Sequence, residues 1–444
     1  MPETSGGSVV GRIYGNLGRL LGGKAAAGLI SLGYMAISAR ALGPADYGVL
    51  ILVHTYVMTV GGIIEFPGWH AVVRYGAQAL AADDRARLTR LLVFAGLVEL
   101  AGGALAVIVA ALLAPILGPR LGWSPVAIAF AAPYSLAVLA SIRATPAGYL
   151  QLTGRFDLLG AHNVVAPVVR LAGAAAAVMA HAGLRGFLIA WLIAALAEWA
   201  AMWALGAWAA RGELAAFDRR GGLSMVAEEN RGLWRFMWAA NADITLSEFV
   251  GRASPLAVGW LLGPAAAGLY AVAQRATAVL SQPAQILGQA AYAELARLAA
   301  AGDRGPRIRA ALWRAIAIAF LAATPVCLVI GLFGTRLAVL MAGSAFAAAG
   351  TVMLWLTLAK ALQLAGPPIS AALTALGRPG LSVKANLISG LGLLVLLPPL
   401  LAWRGLEGAG LHAVLQAGIG IALLAIAVWR ETRGDALPLA GARL

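Results

Sequence analysis

One cysteine, Cys327, stands among 444 residues, so no intrachain disulfide can form, and its position inside an apolar run assigns it to packing. Charge is nearly as scarce. Only 12% of residues are Asp, Glu, Lys or Arg, against about 25% in soluble globular chains, which argues against a water-soluble domain. The histidines His54, His70, His162, His181 and His412 are scattered, and no His/Cys/Asp/Glu cluster has the spacing of a metal site. No Gly-Lys-Ser/Thr phosphate loop occurs, which argues against direct drive by ATP. The periplasmic connections are also too short to form a sizeable loop. A membrane-embedded polysaccharide polymerase or glycosyltransferase would present its catalytic groups on such a loop, so an enzyme is the weakest reading of this chain.

What is present is apolar. The chain is 61% hydrophobic with a mean hydropathy of +0.84, and runs of about 20 apolar residues recur along it, the length a bilayer core requires. Twelve membrane spans are predicted: 21–43, 47–66, 90–114, 125–148, 158–180 and 187–210, then 236–262, 265–290, 310–333, 346–376, 383–403 and 409–429. Arg12 and Arg19 precede the first of them and Lys24 stands at its start, and no cleaved signal peptide is read. The mixed-charge stretch 211–235 is read as a cytoplasmic linker between a six-helix lobe, 1–210, and a second, 236–430, with a cytoplasmic tail at 431–444.

The net charge of +14 reports topology. With the N-terminus placed in the cytoplasm, 23 of the 33 Lys and Arg fall on that side, Arg143 among them, and 5 on the other. That satisfies the positive-inside rule, puts both termini in the cytoplasm and directs the basic surplus at anionic headgroups, not at nucleic acid.

Two hairpins organise the chain. Gly43-Pro44 joins the first two spans, and Gly263-Pro264, 220 residues later, joins the seventh and eighth. Glycine can take the backbone that ends a helix, and proline is preset for the first position of the next. At the same offset Asp83 and Arg87 match Asp303 and Arg307. Further on Gly154-Arg155 matches Gly377-Arg378, and Gly183-Leu184-Arg185-Gly186 matches Gly405-Leu406-Glu407-Gly408. A duplicated unit of six helices follows. Six is even, so both copies enter the membrane from the same side and are related by a pseudo-two-fold axis along the membrane normal.

The stretch Ala39-Arg40-Ala41-Leu42-Gly43-Pro44-Ala45-Asp46-Tyr47-Gly48 resembles the signature of bacterial polysaccharide-exporting flippases. The Gly-Leu-x-Gly turn before the sixth and twelfth spans is similar to one in the same group, a branch of the multidrug/oligosaccharidyl-lipid/polysaccharide exporter superfamily. The resemblance implies an all-α integral membrane fold like that of the multidrug and toxin extruders, with two lobes rocking about a central, often cationic cavity gated by helices 1, 2, 7 and 8. It implies transfer of an undecaprenyl-diphosphate-linked oligosaccharide across the inner membrane, with other polysaccharide assembly proteins as partners. The peptidoglycan-precursor flippase of this superfamily has fourteen helices, two more than are read here.

Charges inside spans cost roughly 2.5–3.5 kcal/mol each on insertion scales, so each one needs an account. Arg252 lies eleven residues before Gly263 and Arg275 eleven after Pro264, placing both about 16 Å below the membrane edge at 1.5 Å per residue. With Lys360 and Arg170 they are the candidate cations for a diphosphate or acidic sugar. Two of them carry a second reading. Arg252 has Glu248 four residues before it, an intrahelical pair, and Arg170 and Glu198 lie at equal depth on adjacent helices, the geometry of an ion pair. Asp243, Glu248 and Glu99 are the candidates for a coupling ion, H+ or Na+; no other cofactor and no metal are expected. Glu65 and Arg74, near the cytoplasmic end of the second span, are read as guides for anionic headgroups or as solvated. Pro255 and Pro283 would let helices 7 and 8 bend, and Gln282, Gln285 and Gln289 form a polar stripe on helix 8. A cation-coupled multidrug antiporter of the same fold is the alternative, and it would want an acidic cavity.

Overall fold

In the computed structural model the described residues are 6–66, 68–212, 225–280, 291–292, 294–299 and 305–433. They are helical and contain no strand. The first helix, α1 (Gly6–Ile64), is two helices joined at Gly43, whose φ of 68° and ψ of 176° lie outside any helical region. Its apolar part, Gly22–Ile64, is 43 residues, about 65 Å at 1.5 Å per residue, or twice a bilayer core of about 30 Å. Tyr34 in the first arm and His54 in the second both pack on Trp191, at 5.8 and 5.2 Å between ring centroids. The chain therefore doubles back at Gly43 as a hairpin.

After α2 (Trp69–Ala81) come α3 (Arg85–Leu117), α4 (Pro125–Tyr134), α5 (Ala144–Leu152), α6 (Phe156–Met179) and α7 (Gly183–Ala209). Local chemistry sets their starts. Asp84 accepts the Arg87 amide at 2.9 Å ahead of α3, and Ser124 with Pro125 opens α4. A short helix, α8 (Met225–Glu229), leads into α9 (Leu233–Leu262), which carries Pro255, and α10 (Pro264–Thr277). Then follow α11 (Pro306–Ala342), α12 (Ala349–Gln363), α13 (Gly366–Ala375), α14 (Pro379–Gly390), α15 (Leu397–Arg404) and α16 (Leu406–Arg433). Among the described residues nine helical segments are long and apolar enough to cross a membrane, Gly22–Ile64 counting as one.

The internal duplication is written in the backbone. Gly43 and Gly263, Gly154 and Gly377, and Gly183 and Gly405 all have positive φ, so the glycines matched in sequence turn the chain alike. Gly43 and Gly263 combine φ of 68° and 85° with ψ of 176° and 173°, a region open essentially to glycine alone. Gly43→Ala and Gly263→Ala should each cost about 1–3 kcal/mol, read as a lower melting temperature of the purified protein. Melting at the wild-type temperature would show that the hairpins do not need glycine.

Three spans expected to be continuous are broken. The fourth divides into α4 and α5, the tenth into α12 and α13, and the eleventh into α14 and α15. Pro146, Pro367 and Pro398 sit in the first turn or two of the second piece in each, where a missing N–H is tolerated. The helices flanking the first break hold the polar interior described next.

Contacts divide the chain into two compact units, Met1–Arg252 and Ala253–Leu444, with the boundary inside α9. In the first, α1 packs along α6, and α6 along α7. The segment after residue 224 is anchored there too: Arg87 reaches Asn230 Oδ1 at 2.9 Å and Arg90 pairs with Glu229. In the second, α12 packs on α16 and α11, and Ile308, Leu312, Ile369, Leu373 and Leu424 build a buried core. Cys327 is half-buried and packs against Leu280, Ala323 and their neighbours.

Candidate functional site

Four helices of the first unit converge on Arg170. It projects from α6; Tyr34 and His54 come from the two arms of α1, Trp191 from α7 and Tyr134 from the end of α4. The guanidinium lies 4.8 Å from the Trp191 ring centre and 5.7 Å from that of Tyr34, within reach of both ring faces. Its Nη1 donates to Tyr34 Oη at 3.4 Å, and Nη2 approaches His54 Nε2 at 3.3 Å. Arginine offers only donors, so His54 Nε2 accepts; the neutral ring then carries its proton on Nδ1 and donates it to Tyr134 Oη at 3.0 Å. Arg170 Nε is buried without a hydrogen-bond partner. None of the ion pairs among the described residues includes Arg170. It is a full cation held by neutral and aromatic groups.

The expected pair of Arg170 with Glu198 is not formed, because Glu198 is taken by Arg143. Arg143, counted from sequence with the cytoplasmic charges near the end of the span 125–148, sits inside the helical segment Pro125–Leu152 at the break between α4 and α5. That break interrupts the helical ladder, and side chains from other helices bind the backbone around it. Glu99 on α3, 1% exposed, accepts the Ala144 amide with Oε1 and the Thr145 amide with Oε2, the latter at 2.7 Å. Trp203 Nε1 donates to the Ile142 carbonyl at 2.7 Å. Ser141 Oγ donates to Val138 O at 2.8 Å, and His162 Nε2 donates to Glu198 O at 2.9 Å. Glu99 is thereby the cap of α5, and both its oxygens are occupied. Glu65, beside Ser141, has a buried Oε2 without a partner, and Arg74 lies 4.6 Å from the Phe236 ring centre. Glu65 is therefore not a freely solvated charge, whereas Arg74 is exposed, as the solvated reading expects.

The other candidates are placed as follows. Arg252 takes the paired geometry: Nη2 meets Glu248 Oε2 at 2.6 Å and Nη1 donates to Met58 O at 2.8 Å. Glu248 is thereby engaged as well. In the second unit Lys360 Nζ donates to Gln363 Oε1 at 3.1 Å, a neutral partner on the same helix. Arg275 lies half-buried in the last turn of α10, whose Tyr270 hydrogen-bonds Ser254 across the second hairpin. The side chain of Asp243, together with Pro283, Gln282, Gln285 and Gln289, lies outside the described residues. Among the described residues no group of three or more His, Cys, Asp or Glu could hold a metal ion.

Sequence reasoning missed Tyr34, His54, Tyr134 and Trp191, which come from three separate stretches and share no spacing. One signal was available. Tyr34 and His54 lie nine residues before and eleven after Gly43, so counting depth from the hairpin puts them level.

The sequence profile described as polysaccharide biosynthesis protein matches residues 37–350. Inner membrane protein YghQ of Escherichia coli (strain K12) is 29% identical over 269 residues, 60% of this chain and 76% of that protein. Among solved structures, an inward-facing multidrug resistance transporter of the MATE family, in the MOP superfamily, superposes with a TM-score of 0.67 at 15% identity, over 92% of this chain and 96% of that one. The lipid II flippase MurJ superposes at 0.66 and 12% identity over 91% and 86%, and a point mutant of the Vibrio cholerae MATE transporter VcmN at 0.60 and 17% over 98% and 99%. These likenesses establish the fold, that of multidrug transporters and a lipid flippase, in a multi-pass inner-membrane protein. The profile spans well over half of the sequence, and the chain belongs to the polysaccharide biosynthesis protein family.

Proposed function

We propose that this protein is a flippase that carries an oligosaccharide linked to a polyprenyl diphosphate across the inner membrane, by alternating access, with both termini in the cytoplasm. The observation that carries this reading is Arg170. A guanidinium placed among apolar helices and left without a carboxylate keeps its charge for an anionic ligand, and buried charges of this kind mark ligand paths. Lys360, whose partner Gln363 is neutral, and Arg275 supply cations of the same type in the second unit. Membership of a polysaccharide biosynthesis family supports a glycan as the cargo. A cation-coupled drug antiporter would call for acidic groups in its cavity, whereas the cluster around Arg170 holds none, and Glu99 and Glu198 beside it are engaged.

Purified protein in proteoliposomes should make a fluorescent polyprenyl-diphosphate glycan in the inner leaflet accessible to an external quencher. Removing one charge-assisted contact of about 1.5–3 kcal/mol, by Arg275→Ala or Lys360→Ala, should slow that exposure by about 10- to 150-fold. Extrusion of a cationic dye under a proton or sodium gradient, with no movement of the glycolipid, would reverse the assignment in favour of the antiporter.

A further inference from the structure

The two copies of the repeat differ at one place in a way that opens a cleft in the second. In the first unit Trp203 fills the space over Gly96 and ties α7 to the Ile142 carbonyl at the helix break. The repeat offsets, 220 residues at the third span, 223 at the fourth and fifth and 222 at the sixth, carry these positions into the second unit. Trp203 becomes Ala425 and Ile142 becomes Ala365, while Gly96 becomes Ile316. The polar groups beside them are emptied in the same way: Glu99 becomes Ala319, Arg143 becomes Gly366, His162 becomes Ala385 and Glu198 becomes Gly420.

Where the indole stands in the first unit, the second has a cleft of about 590 Å³ between α11, α13 and α16, with Ile316, Ala365 and Ala425 among its walls. That volume is within the range of sites that hold a small-molecule ligand, about 300–1,000 Å³. From Arg309 to Phe320 the cleft follows α11 for eleven residues, about 16 Å, or half the thickness of a bilayer core. Its wall is aliphatic and aromatic except at one end, where Arg309 and Arg430 stand. Arg309 is fixed at this mouth by donating to Thr432 O at 3.3 Å. Trp313 and Trp429, 68% and 48% exposed, flank it as residues of a membrane interface do.

We infer that this cleft binds the chain of a polyprenyl diphosphate, with the isoprenoid units along Ile316, Ala425 and Ile369 and the diphosphate between Arg309 and Arg430. Charge complementarity selects this occupant: two guanidinium groups meet one diphosphate at the end of an apolar slot one leaflet deep. The site rests on the flippase reading, and it gives the lipid carrier a place distinct from the Arg170 cluster that would meet the polar cargo.

The test is photolabelling of the full chain in nanodiscs with a diazirine-bearing polyprenyl diphosphate, mapped by mass spectrometry, alongside a diazirine phosphatidylglycerol. Adducts should fall on 313–320 and 421–429. Ala425→Trp, which restores the plug of the first unit, and the exposed change Arg430→Gln should each lower labelling by about tenfold, the equivalent of 1.4 kcal/mol. Melting curves establish that both variants are folded, and Arg430→Gln serves alone if the larger residue prevents folding. Undiminished labelling of folded variants, equal competition by phosphatidylglycerol, or adducts confined to residues outside the cleft would each overturn the assignment. Labelling in the cleft without any glycolipid movement would keep the site and refute the flippase. Glycolipid movement at the wild-type rate in both folded variants, with labelling unchanged, would do the reverse.

Discussion

Arg170→Ala should leave a folded protein that no longer moves its glycolipid. The guanidinium approaches Tyr34 Oη and His54 Nε2 through different nitrogens and stacks on Trp191. None of these neighbours carries a countercharge, so removing the cation strands no buried carboxylate. A charge-assisted contact to an anionic group of the cargo is worth about 1.5–3 kcal/mol, or about 10- to 150-fold in rate if it is realised during transfer. Arg170→Lys should lie between, because an ammonium keeps the charge but is a single point that cannot reach both acceptors while lying flat on an indole. The measurement is quencher accessibility of the labelled lipid in proteoliposomes, with melting temperature recorded beside it. Wild-type transport by Arg170→Ala would assign the cluster to packing and remove it from the transport path.

Glu99→Ala should have the largest effect on stability. The carboxylate is buried and satisfies two backbone amides, of Ala144 and Thr145. Each amide left bare costs about 1–3 kcal/mol, so the substitution costs roughly 2–6 kcal/mol. At about 2–4 °C per kcal/mol for a unit of this size, the melting temperature falls by roughly 4–24 °C. Glu99→Gln keeps an acceptor oxygen at the same reach and should lose less than half as much. Thermal unfolding in detergent distinguishes this capping role from an ion-coupling one. If Glu99→Ala melts like the wild type but transport loses its dependence on a proton or sodium gradient, the residue belongs to coupling and the cap is incidental.

Both predictions depend on contacts that sequence could not supply, although the scaffold around them was legible. The hairpin glycines were found by pattern, and their backbone angles explain why pattern sufficed: Gly43 and Gly263 occupy conformations that side chains forbid, so residue type is fixed locally. The spans were legible because the bilayer demands apolar length from each one separately. The breaks at 141–143 and 364–365 were not. A broken helix is tolerated in lipid only when other elements cap it, and the caps of the first break, Glu99 and Trp203, lie some 45 and 61 positions away in sequence.

Residue identity and spacing by themselves determined that this chain is a duplicated bundle of membrane helices in a polysaccharide biosynthesis family, since hydropathy, glycine turns and repeats act through near neighbours. Only the tertiary structure decided what each buried charge does. Arg143 took the glutamate that counting had assigned to Arg170, Arg252 was closed off by Glu248, and Arg170 was left to a tyrosine, a histidine and an indole. A charge in an apolar interior is governed by whichever groups lie within a few ångströms of it, and those come from helices distant along the chain.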